Sequence, residues 1–283
     1  MTDLKQRSGR SPDASWEPLV PRRSRVGLHT VMGWLGALAV ALLVLPLAGL
    51  LVNTPWVRLG ELVGDATVRS ALRLSLLTSI AALAVSTVLG VPLAWLLARR
   101  EFPGKTLLRA LCVLPMVLPP VVGGVALLLA FGRRGLIGQP LDALTGITLP
   151  FTTAGVVLAE TFVAMPFLIV TVEAGLRSMD RRYEDVAATL GASRWLTFRR
   201  VTLPLLGPSL GAGMALCWAR ALGEFGATIT FAGNLSGRTQ TMPLAVYLQL
   251  ERNVDSAILL SLILLAVSAV VLVALRGRYL GVG

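Results

Sequence analysis

Apolar residues gather into six runs, at residues 30–52, 70–98, 108–131, 152–176, 205–227 and 256–275, separated by shorter polar segments. Each run is near or above the roughly 20 residues a helix needs to cross the hydrocarbon of a bilayer. Open sheet edges find no hydrogen-bond partners in lipid, so strands are not expected. The pattern predicts an all-α integral membrane protein with six transmembrane helices. Ahead of the first run, residues 1–29 are rich in Pro, Ser and Arg without periodicity. They predict a disordered tail, too long and irregular for a simple signal peptide. Residues 277–283 form a short C-terminal tail.

The basic residues then orient the chain. With both ends on one side, that side receives the arginines and lysine of the N-terminal tail, Arg99, Arg100, Lys105 and Arg109, and six arginines between Arg177 and Arg200. Arg276 and Arg278 join them, while the opposite side keeps mainly Arg58, Arg69, Arg133, Arg134, Arg238 and Arg252. Basic residues favour the cytoplasmic side, which predicts cytoplasmic termini and a cytoplasmic loop at 177–204 in a multi-pass plasma membrane protein.

Composition agrees with a bilayer, since 55% of the 283 residues are hydrophobic and 14% charged, against roughly a quarter charged in soluble domains. The net charge of +11 falls in short blocks beside apolar runs, which marks topology rather than a nucleic-acid surface. Cys112 and Cys217 both lie inside apolar runs, so no disulfide framework is expected. His29 is the only histidine, which removes His-cluster metal sites and His-based triads. Gly104-Lys105-Thr106 echoes the end of a phosphate-binding loop, but Arg99 stands where its first glycine belongs and no strand precedes it. No cofactor, metal or catalytic residue is therefore expected in this chain.

The loop at 177–204 carries the most specific pattern. Tyr183 to Leu190 predicts a short helix that Gly191 ends, a basic helical turn follows from Ser193 to Arg200, and Pro204 opens the next run. Ala187, Ala188, Gly191 and Ala192 leave a surface that another protein could approach closely. An acid, two further residues, a glycine six positions after the acid and then hydrophobic-x-Leu-Pro fall on Asp185, Val186, Ala187, Gly191 and residues 201–204. This spacing resembles the EAA signature of binding-protein-dependent ABC importer permeases. Asp185 stands where Glu is usual, with Glu184 beside it, and Val186 stands for Ala. The resemblance implies that the segment is a coupling helix docking into a separate ATPase, with Glu184, Asp185, Ala187, Ala188, Gly191, Ala192 and Pro204 as its ATPase-coupling residues. ATP and Mg would be bound by that partner.

Within the runs, Pro115, Pro119 and Pro120 remove three backbone donors close to Gly123 and Gly124. Such a segment is either a broken helix lining a path or a kinked packing helix. Glu160, Glu173, Arg220 and Glu224 are intramembrane ionisable residues and hence functional candidates. Arg220 and Glu224, four apart, can neutralise each other. Glu160 reads as structural or protonated, and Glu160 with Glu173 would serve a rival, proton-coupled carrier. Residues 219–234 combine Glu224, Phe225, Gly226, Thr228 and Thr230 in a surface suited to a hydrated oxyanion, or form a helix end followed by a polar external turn.

Here, and at 102–105, 114–124 and 132–138, the chain resembles molybdate permease subunits, with sulfate permeases as close relatives. The resemblance covers residues 68–276 and implies the type I ABC importer permease fold, a five-helix core to which the helix at 30–52 is additional. It implies molybdate, with tungstate possible, as cargo and sulfate or thiosulfate as the alternative. It also implies a homodimer, two cytoplasmic ATPase subunits and an extracytoplasmic binding protein. Pro119, Pro120, Gly123, Glu224, Phe225, Gly226, Thr228 and Thr230 become candidates for the translocation path. Arg133 and Arg134, against the charge trend, become candidates for the external mouth or remain ordinary solvated arginines.

Overall fold

The computed structural model describes residues 28–279, and every regular element among them is helical. The expected tail at 1–29 lies outside the described residues up to residue 27, as does the C-terminal tail from residue 280. The described residues fall into two compact units that divide between Gly49 and Leu50. The described part of the first belongs to α1 (Leu28–Val52), apolar on all sides with Pro46 inside it, as a lipid-embedded helix is.

The second unit contains α2 (Leu59–Gly64), α3 (Ala66–Arg99), α4 (Lys105–Val117), α5 (Pro120–Phe131) and α6 (Gly138–Thr145). Next come α7 (Thr153–Ser178), α8 (Arg182–Thr189), α9 (Arg194–Thr197) and α10 (Leu203–Leu222). It closes with α11 (Gly226–Ala232), α12 (Met242–Arg252) and α13 (Val254–Tyr279). Asp65 starts α3 by accepting from the backbone N–H groups of Thr67 at 2.6 Å and Val68 at 3.3 Å.

α7 is the hub, with α3 and α10 packed along it. The buried side of α3 is a stripe of small residues, Ala71, Ser75, Ser79, Ala82, Ser86, Gly90 and Ala94, repeating at three- and four-residue spacing. Lipid tails are as apolar as leucine, so helix association in a bilayer relies on such close backbone approach. Leu97 of α3, Leu168, Ile169, Val172 and Leu176 of α7, and Leu206, Cys217 and Ala221 of α10 close the core. Cys112 and Cys217 are both free thiols.

Among the described residues, five helical stretches are long and apolar enough to cross a membrane, and a bent pair makes six when counted as one span. The bent pair replaces the single run expected at 108–131. The helix breaks between α4 and α5 because Leu118 and Pro119 both precede prolines and sit in extended backbone, ψ 134° and 132°, and the two helices meet at 120°. The run expected at 205–227 is also two helices, α10 ending at Leu222 and α11 beginning at Gly226. The polar turn expected after Asn234 is present at residues 236–239, and an eleven-residue helix, α12, with Pro243 near its start, follows it.

Candidate functional site

The loop between α7 and α10 folds as its sequence suggests. α8 covers Arg182–Thr189, and Gly191 ends it with φ +81°, a left-handed conformation costly for a side chain. Ala192 N–H donates to Ala187 O at 3.0 Å and Gly191 N–H to Ala188 O at 3.0 Å, the paired bonds of a glycine-terminated helix. Ser193 then caps α9, accepting from Leu196 N–H at 3.3 Å. The expected basic turn is α9 followed by a wide π-type turn, Phe198–Thr202, which runs directly into α10 with Pro204 in its first turn. Ala188, Gly191 and Pro204 are exposed, and Ala187 and Ala192 are half-buried.

The two neighbouring acids of α8 differ. Glu184 Oε1 accepts from Arg99 Nη2 at 3.2 Å and from Thr202 Oγ1 at 2.8 Å. Asp185 is exposed and has no side-chain partner among the described residues. Both line an open groove of about 660 Å³ between the loop and Val91, Pro92 and Trp95 of α3. Trp195, stacked on Phe198 at 5.8 Å, forms part of its wall.

The ionisable residues of the spans separate equally clearly. Glu173 Oε1 accepts from Arg109 Nη2 at 2.7 Å and Nε at 3.0 Å, and pairs with Arg177 at 2.9 Å. Glu224 pairs with Arg220 at 2.6 Å and accepts from Ala227 N–H at 2.8 Å, so one carboxylate neutralises an arginine and caps α11. Glu160 is buried and accepts from Thr78 Oγ1 at 2.9 Å, while its second oxygen has no partner among the described residues.

Of the residues expected on a path, Pro119 and Pro120 are exposed, Phe225 and Thr230 are half-buried, and Gly123, Glu224, Gly226 and Thr228 are buried in the chain's own packing. Pro120 and Gly226 are brought together: a Cβ on Gly226 would lie 2.6 Å from Pro120 Cβ. Gly123 faces Phe162, Phe225 packs on Tyr247 of α12 at 5.1 Å, and Thr230 Oγ1 donates to Gly226 O at 2.8 Å. Arg133 Nε donates to Asp142 Oδ2 of α6 at 3.1 Å, whereas Arg134 is exposed and unpaired among the described residues.

Outside the spans, backbone N–H groups of Thr67 and Val68 hold the Asp65 carboxyl below its ordinary value. The Lys105 ammonium does the same for Glu101. Arg99, Arg109 and Thr202 escaped the sequence pattern as site residues. The first two looked like topology charges, and their partners lie 85 and 64 residues away.

Comparison with known proteins adds a family. Residues 86–280 match the model of the binding-protein-dependent transport system inner membrane component. The chain is similar to the molybdenum transport system permease protein ModB of Mycobacterium tuberculosis, 46% identical over 239 residues, covering 84% of this chain and 90% of that protein. It is also similar to the sulfate transport system permease protein CysT of Escherichia coli, 36% identical over 259 residues, covering 90% and 93%. Its fold is similar to a chain of a bacterial ABC transporter involved in import of the acidic polysaccharide alginate, with a TM-score of 0.73 at 16% identity over 90% of this chain and 96% of that one.

Proposed function

The chain belongs to the binding-protein-dependent transport system inner membrane components, and we propose that it carries molybdate, and tungstate with it, into the cytoplasm. It is the membrane-spanning permease subunit of an ABC transporter with the type I importer fold. Two copies pair around one path, because a single subunit offers only part of a pore wall. A binding protein delivers the anion from outside, and two ATPase subunits holding ATP and Mg grip the two 177–204 loops from the cytoplasm, where both termini also lie. ATP binding draws the ATPases together, the loops follow, and the pore turns outward; hydrolysis returns it. The two orientations are one equilibrium that nucleotide and loaded binding protein both bias.

The observation that carries this reading is the loop around Gly191. Its glycine-terminated helix presents Ala188, Gly191 and Asp185 to the outside of the chain, with no core of its own to bury them. The 46% identity to a molybdenum permease over most of the chain favours molybdate, against 36% to a sulfate permease. A proton-coupled carrier finds less support, since Glu173 is held by two arginines and so offers no free carboxylate for proton relay.

Uptake of radiolabelled molybdate into vesicles holding this chain, its ATPase and its binding protein tests the proposal. Uptake should require ATP and be competed by tungstate more strongly than by sulfate. Uptake driven by a pH gradient without ATP would contradict the mechanism, and stronger competition by sulfate would reassign the cargo.

A further inference from the structure

α8 buries no residue, so no core fixes its place on the molecule. Among the described residues, its side-chain hydrogen bonds to the rest of the molecule run through one carboxylate oxygen. Glu184 Oε1 accepts from Arg99, the last residue of α3, and from Thr202, in the wide turn that opens into α10. Both partners belong to the body: the Arg99 side chain is 7% exposed and Thr202 is 2% exposed. Arg99 Nε is also buried without a partner among the described residues, so the guanidinium has few alternatives to Glu184 there.

The surroundings give this contact mechanical consequence. The open groove stands between the loop and Val91, Pro92 and Trp95 of α3, and Glu184, which lines it, pairs with Arg99 at the end of the same helix. Pro92 lies inside α3 and cannot donate to the turn before it, which loosens the join between the last two turns and the rest of the helix. On the other side, residues 194–222 form one continuous helical rod through the wide turn, the kind of local unwinding often found at functional positions. Displacing α8 therefore pulls the end of α3 through Arg99 and the start of α10 through Thr202. Asp185, next in sequence, points about 100° away around the helix and makes neither contact.

Resting on the importer reading above, the geometry points to Glu184 as a positioning residue, the joint that turns movement of the docked loop into movement of α3 and α10. The acid in the signature register, Asp185, is the one left free to meet a partner. Without the joint, the loop follows the ATPase while the spanning helices lag, and nucleotide is consumed without transport.

The test is the ratio of molybdate taken up to ATP hydrolysed, measured in the same vesicles holding the whole transporter. Glu184→Gln should lower that ratio by about tenfold, as expected when a charged, half-buried contact is broken. The exchange Arg99→Glu with Glu184→Arg should restore it to within about threefold, the coupling a double-mutant cycle detects. Should Glu184→Gln fail to assemble, Thr202→Val keeps the shape of the joint and should lower the ratio by about threefold. A ratio unchanged in Glu184→Gln or Thr202→Val, or unrestored by the charge exchange, would overturn the joint. Wild-type vesicles that hydrolyse ATP but take up no molybdate would instead overturn the cargo or importer reading, so the two failures are distinguishable.

Discussion

The bundle around α7 and the loop that follows it are held by opposite means. In the bundle, a stripe of small residues on α3 and a facing set of apolar side chains on α7 and α10 bring backbones together, with isolated polar contacts such as Thr78 to Glu160 between them. In the loop, α8 and α9 bury nothing, and capping bonds and the Glu184 carboxylate fix their positions. Segments with few buried apolar contacts sit at the low end of local stability. The bundle is thus suited to moving as a body, and the loop to being gripped and displaced. The same contrast separates the carboxylates: Glu173 and Glu224 are tied to arginines, whereas Asp185 is exposed.

The sharpest break of that contrast is at Gly226, where the bundle has no room. An added Cβ would meet Pro120 Cβ at 2.6 Å and adjoining backbone at 3.4 Å. Gly226→Ala should destabilise the purified protein by about 2 kcal/mol, seen as a lower thermal unfolding midpoint in detergent. In the loop, Gly191 has open space around it but φ +81°. Gly191→Val should therefore cost about 1–2 kcal/mol locally and lower ATP-driven uptake about tenfold while leaving the unfolding midpoint nearly unchanged. Gly191→Asn, which tolerates the left-handed region, should keep uptake within about threefold.

A smaller effect lies at the start of α3. Asp65→Ala should cost about 1 kcal/mol of stability at neutral pH through the lost cap. The Asp65 carboxyl is held below its ordinary value by the Thr67 and Val68 N–H groups. Its contribution is thus present above the unfolded-state value and fades as pH falls below about 4 through the depressed one. Asp65→Asn, which caps without titrating, should remove that acid-dependent component from a pH series of unfolding midpoints. The smallest change is expected at Glu160, where Gln can still accept from Thr78. Under an ATP-driven mechanism, uptake by Glu160→Gln should stay within about twofold of wild type, whereas abolished uptake would revive the proton-coupled carrier.

Much of this architecture is legible in residue order, because each signal is local. Run length gives spanning helices, Gly191 gives the end of α8, and the spacing of Arg220 and Glu224 gives their pairing, found at 2.6 Å. What is lost depends on distance or direction. Consecutive prolines announce extended backbone at Leu118 and Pro119, but the 120° turn depends on what α5 packs against. The break before α11 hides in an apolar run because its cap is the carboxylate of Glu224, which accepts from the N–H of Ala227, three residues further on. Glu184 and Asp185 are indistinguishable as letters, since which one faces inward depends on Arg99, 85 residues away. The small stripe of α3 is visible as spacing only once α7 is known to lie along it.

The central claim is that a separate ATPase drives this chain through the exposed face of α8. It is tested most directly by a single cysteine at Ala188, with Cys112 and Cys217 replaced, in vesicles containing the partner ATPase. The account predicts that this cysteine cross-links to the ATPase, is shielded by it from thiol reagents applied on the cytoplasmic side, and changes cross-linking yield when ATP is added. A cysteine that never reaches the ATPase, or that reacts only with reagents applied from outside the cell, would contradict it.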